Sequence, residues 1–149
     1  MKKGFTILEM LVVIMVIAIL IGIALPRFKG MQDEGNIAKA KGELRTLQIA
    51  VESYYIHHGN TYPATGSEAL GPLLSAARPN IITAVPADPL NSTGAGYMYV
   101  MGGTGNKYYI LYSVGPGGNG IATITNDAVV ETNSASCIYA SNISQDTVP

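Results

Sequence analysis

Lys2-Lys3-Gly4-Phe5-Thr6-Ile7-Leu8-Glu9-Met10 opens the chain, and an unbroken apolar run continues to residue 25. As a helix, residues 5–25 would span about 31 Å at ~1.5 Å per residue. The hydrocarbon core of a bilayer is ~30 Å thick. Lys2 and Lys3 precede the run, which keeps the N-terminus cytoplasmic and sends the C-terminal bulk across the membrane. Arg27 and Lys29 on the far side oppose this only weakly. Glu9 stands at the head of the apolar stretch. A carboxylate at a bilayer centre costs roughly 2.5–3.5 kcal/mol. Near one end it costs less but still requires a partner.

Three explanations compete for this segment. A cleaved secretory signal has a shorter apolar core followed by a small-x-small site, which Ala24-Leu25-Pro26 does not offer. A plain signal anchor explains the length and the flanks but not Glu9. The third places a cut between Gly4 and Phe5, ahead of the apolar run, so that the helix survives in the mature protein.

The third explanation carries a resemblance. Lys3-Gly4-Phe5-Thr6-Ile7-Leu8-Glu9, with Pro26 further on, resembles the prepilin signal of type IV pilins and type II secretion pseudopilins. The resemblance implies that a membrane prepilin peptidase cuts after Gly4 and N-methylates Phe5. Glu9 then lies four residues from a new cationic amine, about one helical turn. In the membrane the two neutralise each other within one chain. In a filament the resemblance implies that Glu9 meets the amine of a neighbouring subunit. Buried ion pairs specify arrangement better than they stabilise, so subunit register is the expected role. Gly22 and Pro26 mark the weak stretch of the helix, because proline removes a backbone hydrogen bond and glycine costs about 1 kcal/mol. The resemblance implies that this stretch melts in the fibre; a simple kink at the membrane exit is the other reading.

From Arg27 a helical pattern resumes. Ile37, Ala40, Leu44, Leu47, Val51 and Tyr54 recur at steps of three and four, an apolar stripe that asks for a sheet to cover it. Gly59-Asn60 ends the helix, so one helix is expected from Phe5 to about His57. The next segment is punctuated by prolines and glycines, with a short helix expected at 67–77 capped by Ser67. Alternation and β-formers predict strands at 97–101, 107–114, 121–125 and 128–131, the first two forming a hairpin around Gly102-Gly103-Thr104-Gly105-Asn106. A polar, loosely ordered tail is expected from Thr132. The fold class is therefore α+β: a leader at 1–4, a membrane or filament-core helix at 5–26, an amphipathic half at 27–58, and a small antiparallel domain at 59–149.

The second half narrows the resemblance. Gly59-Asn60-Thr61-Tyr62-Pro63, Pro86-Ala87-Asp88-Pro89, Tyr97-Met98-Tyr99 and Tyr109-Ile110-Leu111-Tyr112-Ser113-Val114-Gly115 run in the order of the major pseudopilin of type II secretion. Two positions depart from it. Leu90 replaces a tryptophan, and the acidic loop that carries calcium in that family is Gly115-Pro116-Gly117-Gly118-Asn119-Gly120 here. Calcium takes several carboxylate or carbonyl oxygens. Asp127 is the only nearby carboxylate, so neither a metal nor any other cofactor is expected.

Composition adds exclusions. Charged residues make up 13% of the 149 residues and the formal net charge is −1; no basic face suggests nucleic acid. Cys137 is the single cysteine, which rules out an intramolecular disulfide and leaves an unreactive thiol as the expectation. His57-His58 reads as a solvated helix end, and the glycine-rich loop as a turn without the context of a phosphate loop. No nucleophile–base–acid constellation is present, so no enzyme is expected. The resemblance implies a helical homo-oligomeric filament, built from subunits in the inner membrane with a periplasmic C-terminal domain. It also implies minor pilins or pseudopilins, an assembly ATPase and an inner-membrane platform protein. A secretion pseudopilus is the leading reading, a type IV surface fibre the alternative, and a signal-anchored periplasmic binding domain the rival of another class.

Overall fold

The computed structural model describes residues 4–64, 70–77, 80–132 and 137–143. Helix α1 runs over Ile7–His57, followed by α2 (Leu70–Ala76). Five strands complete the chain: β1 (Met98–Gly102), β2 (Tyr108–Ser113), β3 (Ile121–Thr125), β4 (Ala128–Thr132) and β5 (Ile138–Ser141). The chain separates into two units, Met1–Gly35 and Asn36–Pro149, and each is described by itself.

In the first unit every described side chain from Phe5 to Leu25 is exposed. This stretch of α1 is long and apolar enough to cross a membrane. The helix is continuous through Gly22 and Pro26, so neither residue interrupts it here. The amide that would bond the Gly22 carbonyl belongs to residue 26, where proline has none, so this turn lacks one backbone hydrogen bond.

In the second unit, β1, β2 and β5 form an antiparallel sheet in the order β1-β2-β5. Tyr99 pairs with Leu111, and Leu111 with Ala140. Side chains alternate across this sheet with period two. Tyr97, Tyr99, Tyr109 and Leu111 face α1, where Ala40, Leu44, Leu47, Ala50 and Val51 are buried with Leu70 and Leu74 of α2. The expected stripe thus finds its expected cover. Ile110 and Tyr112, with Met98 and Val100, face the other way onto Ala122, Ile124, Val129 and Cys137. A separate β3–β4 hairpin, paired from Ile121↔Thr132 to Thr125↔Ala128, supplies that second layer. Its two-residue turn puts Asn126 and Asp127 at φ 51° and 60°, the backbone that matches hairpin twist.

Two expectations need correction and a third lies partly outside the described residues. The helix begins at Ile7 rather than Phe5, because Thr6 caps it. The short helix is described over Leu70–Ala76, and the residues expected to start it, with the cap Ser67, lie outside the described residues. The tail is not merely polar chain, because Ile138–Ser141 forms β5 against the central strand. Four residues with two strong β-formers give little local signal; pairing with β2 and the bond from Gln48 Nε2 to the Ser141 carbonyl, 3.1 Å, decide the outcome.

Candidate functional site

Thr6 ends the irregular N-terminal chain and caps α1. Its hydroxyl accepts from the Glu9 amide at 3.2 Å. Glu9 Oε2 in return accepts from the Thr6 amide at 2.9 Å and the Thr6 hydroxyl at 3.0 Å. This reciprocal arrangement is a capping box, which satisfies amides that a helix start leaves open. It explains why α1 begins at Ile7. Sequence reasoning sought a partner for Glu9 only in the amine of Phe5 and missed Thr6, although Thr6-Ile7-Leu8-Glu9 carries the signature.

The box has a chemical consequence. Both bonds to the carboxylate fall on Oε2, so Oε1 is open among the described residues. Glu9 therefore keeps one open acceptor oxygen. Gly4 and Phe5 precede the helix in irregular backbone. Phe5 is 80% exposed, and a side chain added at Gly4 would meet nothing within 4 Å. The bond between these two residues lies on open chain, as a proteolytic site requires. Gly22 likewise has open space around it. The structure gathers Gly4, Phe5, Thr6 and Glu9 at one end of α1, while Gly22 and Pro26 lie further along the same helix.

The globular unit is fixed by carboxylate–tyrosine bonds from α1 to the sheet. Tyr97 donates to Glu43 Oε2 at 2.6 Å, and Tyr109 to Glu52 Oε1 at 2.7 Å. Tyr99 donates to the Pro63 carbonyl at 3.0 Å. Burial, then the neighbouring glutamates, push the Tyr97 and Tyr109 phenols far above their ordinary value. Burial does the same to Tyr99. Lys39 stands 3.8 Å from Glu43 Oε1, an i,i+4 pair with an exposed lysine, worth a few tenths of a kcal/mol, ~0.3–0.5. His57 and His58 turn their Nδ1 atoms to the carbonyls of Ser53 and Tyr54.

The calcium loop implied by the resemblance can be tested on its donor atoms. Loop 115–120 carries no carboxylate. The Gly115 and Val114 carbonyls already accept from Gly118 and Gly120 at 2.9 and 2.8 Å. Asp127 binds away from the loop, accepting from the Thr104 amide at 2.7 Å and the Thr104 hydroxyl at 3.1 Å. Among the described residues no three His, Cys, Asp or Glu side chains come together as a metal site. The donor set does not fit calcium.

Comparison with known proteins agrees with this anatomy. The prokaryotic N-terminal methylation motif matches residues 1–25. The type II secretion system (T2SS) protein G model matches residues 27–132. A type II secretion system core protein G from Escherichia coli is 34% identical over 128 residues, covering 78% of this chain and 83% of that protein. Its counterpart from Pseudomonas aeruginosa is 29% identical over 126 residues, covering 78% and 85%. A fimbrial protein from Neisseria meningitidis is 30% identical over 69 residues, covering only 46% and 40%. No solved structure matches. With the methylation motif on the capped, apolar end of α1 and the protein G model spanning most of the helix-on-sheet unit, the chain belongs to the type II secretion system protein G family.

Proposed function

We propose that this chain is the major pseudopilin of a type II secretion system, a structural subunit whose copies assemble into a periplasmic fibre for protein export. The protein G likeness along most of the chain supports this reading. The observation that carries its mechanism is the Thr6–Glu9 box at the head of an apolar helical stretch that is exposed through to Leu25. The helix is held in the inner membrane as a single span, with the C-terminal unit in the periplasm. A prepilin peptidase cuts the Gly4–Phe5 bond and methylates Phe5, creating a cation beside the box. Glu9 presents Oε1 to the amine of the next subunit during assembly. The box holds the carboxylate in place beforehand, which reduces the entropy lost in forming that contact. An assembly ATPase and an inner-membrane platform protein drive extraction, and minor pseudopilins complete the fibre. In the fibre, the turn between Gly22 and Pro26 is the place where α1 extends.

A surface fibre of the type IV pilin kind is the second reading. The likeness to the Neisseria fimbrial protein favours it, but over less than half of the chain. Deleting the gene separates the two. Loss of exported proteins from the medium with surface fibres unchanged supports the pseudopilin. Intact export with loss of surface fibres overturns it in favour of the pilin.

A further inference from the structure

In this sequence no Asp or Glu occurs between Asp88 and Asp127. These two carboxylates flank the region where the family resemblance implies a calcium ion, and each of their four oxygens already accepts a hydrogen bond from the protein. Asp88 is 3% exposed. Its Oδ1 accepts from the Leu90 amide and the Ser113 hydroxyl, both at 2.9 Å, and its Oδ2 from the Val114 amide at 3.0 Å. Ser113 in turn accepts from the Gly115 amide at 3.2 Å. The loop that leaves β2 is therefore gripped at its root by one buried side chain. At the far end of the hairpin, Asp127 grips Thr104 in the β1–β2 turn through two bonds. Between these anchors, Gly120 packs so closely on Val114 and Cys137 that an added Cβ would lie 2.7 Å from the Val114 oxygen and 2.9 Å from the Cys137 Cβ. Entry to and exit from the β2–β5 excursion meet there. Ala122, Ile124 and Val129 of the hairpin complete the closure by burying apolar surface on the sheet.

We propose that Asp127 and the β3–β4 hairpin, on a loop root that Asp88 anchors, close this region in place of a cation, so that the folded unit and the fibre it builds do not depend on calcium. A calcium site draws a loop together by supplying one positive charge centre for six to eight oxygens. Here the polarity is reversed: each carboxylate is the centre, and backbone amides and hydroxyls converge on it. Charge-assisted bonds of this kind are the strong class of hydrogen bond. The inference rests on the protein G reading only for the expectation of calcium. Its test measures the subunit itself and needs no fibre.

The experiment is thermal unfolding of the full chain in detergent micelles, followed by circular dichroism. It is run with excess EDTA, with excess calcium chloride, and with magnesium chloride as a control for ionic strength. The expected midpoint is the same in all three. Asp88→Ala and Asp127→Ala should each lower the midpoint by several degrees, and calcium should restore neither. Asp88→Asn, which keeps one acceptor oxygen, should fall between wild type and Asp88→Ala. A midpoint raised by calcium but not by magnesium overturns the proposal. So does a wild-type midpoint for both alanine variants. Should Asp88→Ala fail to fold, the EDTA and calcium arms on the wild type and the half-buried Asp127→Ala decide the matter. A chain that proves not to be a pseudopilin would show that as unimpaired export after gene deletion, without altering any of these melts.

Discussion

Thr6 and Glu9 hold each other at the start of α1, the threonine hydroxyl taking the Glu9 amide and the Glu9 carboxylate taking the Thr6 amide. Two roles of Glu9, cap and charge, are therefore separable. Glu9→Gln retains a capping acceptor but loses the charge, and Glu9→Ala loses both. Both variants should insert in membranes at normal levels and give at least tenfold fewer fibres. Thr6→Ala should weaken the helix start by about 1 kcal/mol while leaving the charge, so its fibre yield should fall less. Membrane fractionation and the quantity of sheared fibres check this. Normal fibre yield from Glu9→Gln would remove the charge from the account.

Gly4 stands on exposed, irregular chain next to Phe5. Since a side chain there meets no protein atom in this structure, Gly4→Ala should leave folding unchanged and block only processing. Uncut precursor, heavier by the leader, should accumulate in the membrane. Processing at the wild-type rate would show that the glycine is not read by a peptidase.

Tyr109 donates to Glu52 across the interface between sheet and helix. Removing a hydrogen bond to a charged acceptor costs roughly 1.5–3 kcal/mol, so Tyr109→Phe should lower the melting temperature without changing the fold. Tyr97→Phe, which takes the phenol donor from Glu43, should behave alike. A phenylalanine variant that melts with the wild type would show that the bond contributes nothing net.

The same phenols set an alkaline limit. Tyr97, Tyr99 and Tyr109 are raised above the ordinary 10.0 in the folded chain, chiefly by burial. Above that value the unfolded chain has released protons that the native chain still holds. Stability is therefore fully present below about pH 10 and declines as pH rises further. Melts on the alkaline side should show this decline, and it should be shallower in Tyr109→Phe. A rise in stability with pH in this range would contradict the tyrosine assignment.

Gly120 sits against the Val114 carbonyl and Cys137. Because two of the atoms that an added Cβ would meet are backbone, Gly120→Ala should cost about 1–3 kcal/mol, as overpacking does. Gly22→Ala, with open space around it, should not destabilise the monomer. Equal melting temperatures for the Gly120 and Gly22 variants would refute the close approach.

Much of this was legible in residue order. The stripe from Ala40 to Val51 dictates a helix with one buried face, and the β-formers around Tyr97–Tyr99 and Tyr109–Tyr112 dictate strands. Those signals are local and repeated. β5 was not legible, because Ile138–Ser141 owes its strand to β2 far away in sequence. Nor were the bonds from Glu43 and Glu52 to tyrosines more than fifty residues away. On the chain both glutamates look like part of a solvated charge pattern. Thr6 was legible too, since Thr6-Ile7-Leu8-Glu9 has the spacing of a capping box.

The central claim is that a cut at Gly4–Phe5 turns a capped membrane helix into a filament subunit. Intact mass of the chain recovered from membranes and fibres tests this most directly. The account predicts a chain beginning with N-methylated Phe5 in both fractions, and an unprocessed chain when the peptidase is absent. Fibres built from chains that still carry Met1 would contradict it.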